Sequence, residues 1–200
     1  AGTAITTGDN NTLIGSLAGD ALDAGGNNVA IGFRALSTED GHGTNIAIGS
    51  DALKVQNAGT NAYNIAIGHD AGKAVSTGVK NTLIGGSAGD SLTTNGLNVA
   101  VGYGALSTED TGSRNVAIGV SALSTQNADT TNYNVAVGYN SGAAVTTGIF
   151  NTLIGGLAGD ALTDSDRNVA VGYGALSADT LGSRSVAIGQ AALTSQNFTT

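Results

Sequence analysis

The side chains able to do acid–base or metal chemistry are few in these 200 residues: 15 Asp and Glu, two His and no Cys. His42 and His69 stand in different contexts, and neither recurs at its equivalent position further along the chain. They read as solvated loop residues and not as a shared ligand set. Ala-Gly-Asp recurs at Asp20, Asp90 and Asp160. Calcium takes clustered oxygens, but the Gly-Gly-x-Gly-x-Asp pattern that supplies them in repeats is absent. An Asp bonding the backbone of its own turn is the expectation. Glu39-Asp40 and Glu109-Asp110 are adjacent acids. Neighbours on an extended chain point opposite ways, so neither pair can act as two facing catalytic carboxylates. Their third counterpart reads as Ala178-Asp179, so the pair is not kept. No Ser/His/Asp set, phosphate loop or nucleotide fingerprint is present. Gly-x-Gly occurrences such as Gly102-Tyr103-Gly104 read as turns. The expectation is a protein that is not an enzyme, with no cofactor, no metal site and no catalytic residue.

Composition narrows the classes further. The chain has 32 Gly and no Pro, Met or Trp, with 40% apolar and 11% charged residues. That is too apolar and too weakly charged for a disordered tail. The net charge is −8 with only seven Lys and Arg. No basic stripe is visible along the sequence, so nucleic acid and anionic membrane surfaces are not expected partners. No apolar run approaches the ~20 residues of a membrane span. Ice binding would need a flat Thr-x-Thr ladder, and the extended segments carry Val, Ala and Ile instead.

What positions these residues is a repeat. The pentad Asn-(Val/Ile/Thr)-(Ala/Leu)-(Ile/Val)-Gly begins at Asn11, Asn28, Asn45, Asn64, Asn81, Asn98, Asn115, Asn134, Asn151 and Asn168, with an eleventh copy at Ser185. The spacings run 17, 17, 19, 17 and then repeat, so a 17-residue unit sits in a 70-residue super-repeat of four. Super-repeats cover 11–80, 81–150 and, in part, 151–200; the whole of 1–200 reads as one array. Both ends match the interior of the array without atypical capping units, which predicts a segment of a longer array.

A 17-residue unit is too short for two helices, and the pentad alternates like a strand. Each unit therefore reads as strand, tight turn, short strand and longer turn, the second strand at pairs such as Ala35-Leu36. Stacked, the units make an all-β parallel solenoid with ~4.8 Å between coils. The fourth-position Ile or Val is expected to stack as an apolar spine, and the third-position Ala to face outward against a partner. The fifth-position glycines (Gly15, Gly32, Gly49, Gly68, Gly85, Gly102, Gly119, Gly138, Gly155, Gly172 and Gly189) mark either a positive φ or a close backbone approach. The first-position Asn residues predict a side-chain ladder or a closed turn before each strand. The 19-residue units carry insertions ending at Tyr63 and Tyr133, which are possible surface contacts for a sugar or simply covers for a widened coil.

Gly26–Leu36 (Gly-Asn-Asn-Val-Ala-Ile-Gly-Phe-Arg-Ala-Leu) and Asn98-Val-Ala-Val-Gly-Tyr-Gly-Ala-Leu resemble repeats of bacteriophage tail fibre proteins. They are also similar to the head repeats of YadA-type trimeric autotransporter adhesins. The resemblance covers essentially the whole chain, although the 17-residue unit is longer than the usual adhesin-head repeat and the super-repeat is extra. It implies a trimeric, left-handed parallel β-roll and a fibre shaft or adhesin head.

The expected function is therefore a structural or adhesive fibre shaft, on a virion tail fibre or a cell surface, spacing a receptor-binding tip. A homo-oligomer, with a trimer favoured, and a surface glycan or protein receptor are the expected partners. A subunit of an extracellular filament and a carbohydrate-binding surface module are the alternatives.

Overall fold

The computed structural model describes residues 1–198; the last two positions of the expected array lie outside that range. Eleven strands of three residues each, from β1 (Thr12–Ile14) to β11 (Val186–Ile188), coincide with the eleven pentads. They pair in parallel in strict chain order, so the chain is one 11-stranded sheet wound as a solenoid. Register follows the sequence repeat: Val99 pairs with Val116, Ala100 with Ala117 and Val101 with Ile118. We number the coils 1 to 11 by the pentad each contains. Within a coil, positions count from the pentad Asn.

Two expectations are corrected. The pair Ala35-Leu36 is not a second strand but a turn. Leu36 has φ 51° and its neighbour Arg34 has φ 53°, left-handed conformations that no strand accommodates. Each coil bends through such residues at the position before the Asn and at positions seven and nine. A non-glycine residue there costs ~1–2 kcal/mol. Their flipped peptides aim the N–H along the solenoid axis, and each finds a partner in an adjacent coil. Asn27 N–H donates to Asp9 O, Arg34 N–H to Ser16 O and Leu36 N–H to Ala52 O, all at 3.0 Å.

The second correction reverses the faces of the strand. The third-position residue points inward: Ala30, Ala47, Leu83, Ala100 and Leu153 are wholly buried. Positions two and four, the Val/Ile/Thr pairs, point outward and stay half-buried or exposed in every coil. A coil this narrow has no room for two β-branched side chains inside, so Ala goes in. The interior is closed by the Ala-Leu of the turn, as with Ala105-Leu106. Where the turn has Gly instead of Leu, the strand compensates. A Cβ on Gly72 would lie 2.6 Å from Leu83 Cδ1, and one on Gly89 2.8 Å from Leu83 Cδ2. One Leu fills the space that two glycines leave, which keeps core volume constant.

Candidate functional site

The Asn of each pentad holds the coils in register. Asn98 Oδ1 accepts the backbone N–H of Asn115 at 3.0 Å, and its Nδ2 donates to Gly112 O at 3.0 Å. The Oδ1 bond recurs from Asn11 through Asn168, which accepts from Ser185 N–H at 2.9 Å. Apart from Asn115, whose Nδ2 has no partner, each side chain thus does both expected things, laddering along the stack and closing a turn. From Asn28 to Asn168 these residues are fully buried. The fifth-position Gly likewise meets both conditions at once. Gly102 has φ 134°, and a Cβ there would lie 2.5 Å from Gly119 O.

A second interior ladder is chemically mixed. Position twelve reads Leu22, Glu39, Gln56, Val75, then Leu92, Glu109, Gln126, Val145, then Leu162, Asp179 and Gln196. All but Gln196 are fully buried. The true third counterpart of Glu39 and Glu109 is therefore Asp179, so a buried acid is kept in every super-repeat. The acid that follows it is not: Asp40 and Asp110 give way to Thr180. Glu39 points in and Asp40 out, as the extended-chain argument requires.

The three buried acids differ in how they are satisfied. Glu109 Oε1 accepts from Gly112 N–H at 2.6 Å, and its Oε2 from Gln126 Nε2 at 3.0 Å and Asn132 Nδ2 at 2.8 Å. Asp179 accepts from Gly182 N–H, Phe198 N–H and Gln196 Nε2 at 2.9–3.0 Å. At Glu39 the place of Asn132 is taken by Ala62 and that of Gly112 by His42. Neither Glu39 oxygen has a hydrogen-bond partner, and nor do Gln56 Nε2 and His42 Nδ1. Burial pushes the Glu39 carboxyl up from 4.5 to about 7, which the nearby backbone amides of His42 and Asp40 only partly offset. Burial also raises Glu109, with its donors pulling against the rise.

Glu39, Asp40 and His42 form the one group of three or more acids and histidines among the described residues whose ligand atoms lie within 4.8 Å of one another. His42 Nδ1 is 3.9 Å from Glu39 Oε1. Gln56, in the next coil, accepts from Asn64 Nδ2 through its Oε1, and its Nε2 has no partner. His42 is half-buried and not the freely solvated residue expected; His69 is exposed beside Asp70. Asp20 Oδ1 accepts from Thr3 Oγ1 at 2.6 Å. Burial raises the carboxyls of Asp90 and Asp160, opposed chiefly by their own backbone N–H groups, and the Oδ1 of each is buried without a hydrogen-bond partner.

On the outside, seven of the eight aromatic residues fall on two ladders that flank the strand. Before the Asn come Tyr63, Tyr133 and Phe150; after the Gly come Phe33, Tyr103, Tyr139 and Tyr173. The first ladder also holds Lys80, Arg114, Arg167 and Arg184, four of the seven cations, so a basic and aromatic stripe hides in an acidic chain. The rings of Tyr133 and Phe150 stack at 5.6 Å and 11°. Arg114 covers the Tyr133 ring at 5.6 Å, and Arg167 covers Phe150 at 5.3 Å. Tyr133 is thus exposed at its edge while its ring contacts are taken within the chain. Tyr63 is exposed and has no such stack.

Among the described residues no pocket opens, and no helix is long and apolar enough to cross a membrane. No family model, curated protein or solved structure matches the chain.

Proposed function

We propose that the chain is a fibre shaft whose outward Val/Ile face joins copies of itself, with three chains as the favoured number. The observation that carries this reading is the uninterrupted outward ladder at positions two and four. Ile84, Ile118 and Ile154 are exposed although they sit mid-array. A stripe of β-branched residues running the length of a rod is a surface that association would bury. The in-register coils support the mechanical part of the reading. Each coil bonds the next through strand backbone, turn backbone and Asn side chains, so load along the axis is shared among many parallel bonds. The resemblance to tail fibre and adhesin-head repeats points to a virion fibre or a cell surface as the setting.

The test is native mass by light scattering on a size-exclusion column, for the chain and for Val101→Lys. Both partners of Val101 in the sheet are outward β-branched residues, Ile84 and Ile118. A mass near three chains that falls to one in Val101→Lys, with the far-UV spectrum kept, supports the shaft. A monodisperse monomer at all concentrations refutes it. Growth into long rods would favour an end-to-end filament instead.

A further inference from the structure

The ladder after the pentad Gly has a period of its own. Its aromatic rings occur at Phe33, His69, Tyr103, Tyr139 and Tyr173, which are coils 2, 4, 6, 8 and 10. Every second coil carries a ring, and the coils between carry small or flexible residues such as Gly86, Val120 and Gly156. Adjacent coils are ~4.8 Å apart, so successive rings recur at ~9.6 Å along the stack. This period is shorter than the 70-residue super-repeat and is not required by the core.

The three tyrosines are the open phenol rings; His69 is open too, but its smaller imidazole sits beside Asp70. Tyr103, Tyr139 and Tyr173 are 67%, 60% and 60% exposed. Phe33 is different, because Arg34 lies over its ring at 4.6 Å. A Cβ on Gly86 would lie 3.2 Å from Tyr103 Cδ2, and one on Gly156 3.4 Å from Tyr173 Cδ2. Each of these two rings therefore lies back over the glycine of the preceding coil, with its other side turned to solvent. The ladder contains no Asp, Glu, Lys or Arg in any of its eleven positions. The surface is an uncharged row of phenol rings on a chain of net charge −8, which disfavours a polyanion.

We propose that this row binds an uncharged, extended β-1,4-linked polysaccharide laid parallel to the solenoid axis. Such a chain turns over at each pyranose, so it offers the same sugar face once per disaccharide, a distance of roughly 10 Å, which matches two coil steps of ~4.8 Å. Sugar C–H faces stack on the rings, and the phenol O–H groups supply hydrogen bonds at their edges. The site is distinct from Tyr133, whose ring is already stacked.

The test is calorimetric titration of the whole chain with cellohexaose and chitohexaose, and with maltohexaose as a chain of the same size that curls. Binding of at least one β-linked hexaose, with maltohexaose at least tenfold weaker, is expected. Tyr139→Ala removes the central platform and should weaken binding roughly tenfold, whereas Tyr139→Phe should stay within about threefold of the parent. The deciding variant is Val120→Tyr with Tyr139→Val. It keeps three tyrosines but places them on coils 6, 7 and 10. It should bind no better than Tyr139→Ala, with an unchanged far-UV spectrum and native mass. No binding of either β-linked hexaose, equal binding of maltohexaose, or parent-like binding by the respaced variant would each overturn the proposal.

Discussion

Glu39→Gln is expected to stabilise the protein at alkaline pH and to leave it almost unchanged in acid. The folded carboxyl is raised from 4.5 to about 7 because it is buried without a partner. A raised folded pKa means that the native state holds the proton more tightly than the unfolded chain does. The stability from this group is full below pH 4.5 and is lost as pH climbs to about 7. A shift of that size is worth about 3 kcal/mol above pH 7, at 1.36 kcal/mol per unit. Gln has nearly the same shape and no charge, so it escapes this loss. The assay is urea unfolding by far-UV circular dichroism at pH 4, 6 and 8. The advantage of Glu39→Gln over the parent should grow from nearly zero at pH 4 to about 3 kcal/mol at pH 8. Parallel pH profiles for the two proteins would refute the reasoning, because the buried carboxyl would then have found a partner. Ala62→Asn is the companion change. It restores the donor that Asn132 gives Glu109, and at pH 8 it should recover about 1.5–3 kcal/mol.

Other expectations follow from the ladders. Asn98→Ala leaves Asn115 N–H and Gly112 O without their bonds, a loss of roughly 2–6 kcal/mol for two buried groups, read from the same urea titration. Gly102→Ala places a methyl 2.5 Å from Gly119 O at φ 134°. It should cost more than about 4 kcal/mol, or leave the chain unfolded by circular dichroism. Leu83→Ala empties the space facing Gly72 and Gly89 and should cost about 2–5 kcal/mol.

The solenoid, its coil length and its parallel register were legible because one pentad repeats eleven times. Which side of the strand faces in was not. Val and Ile at alternate positions look like core, and Ala between them looks like surface, when each strand is judged alone. The coil is too narrow for that assignment, and its width is set by turns whose left-handed residues carry no glycine signature. Arg34, Tyr63 and Leu36 occupy backbone conformations that sequence usually gives to Gly or Asn, so Ala35-Leu36 read as a short strand. The buried acid escaped notice for a simpler reason. Glu39-Asp40 and Asp179-Thr180 match only when the 70-residue register is applied residue by residue, and then Asp179 falls on Glu39.

That register also explains why the array repeats every four coils. A plain 17-residue unit would stack one residue on itself at position twelve. The observed order, Leu, Glu, Gln, Val, instead places one acid beside one amide donor, between aliphatic neighbours. Gln126 Nε2 donates a hydrogen bond to Glu109 Oε2, and Gln126 Oε1 accepts one from Asn134 Nδ2. A ladder of identical acids would set buried like charges ~4.8 Å apart, and a ladder of Leu alone would let the coils slip by one unit at little cost. An acid that finds its amide only in the next coil gives the stack a direction and a unique register. The two-residue insertions fall in the coils that hold Gln56 and Gln126, and the second brings Asn132 to Glu109. In the first super-repeat Ala62 leaves that donor out, so Glu39 carries the charge alone and becomes the coil that responds to pH.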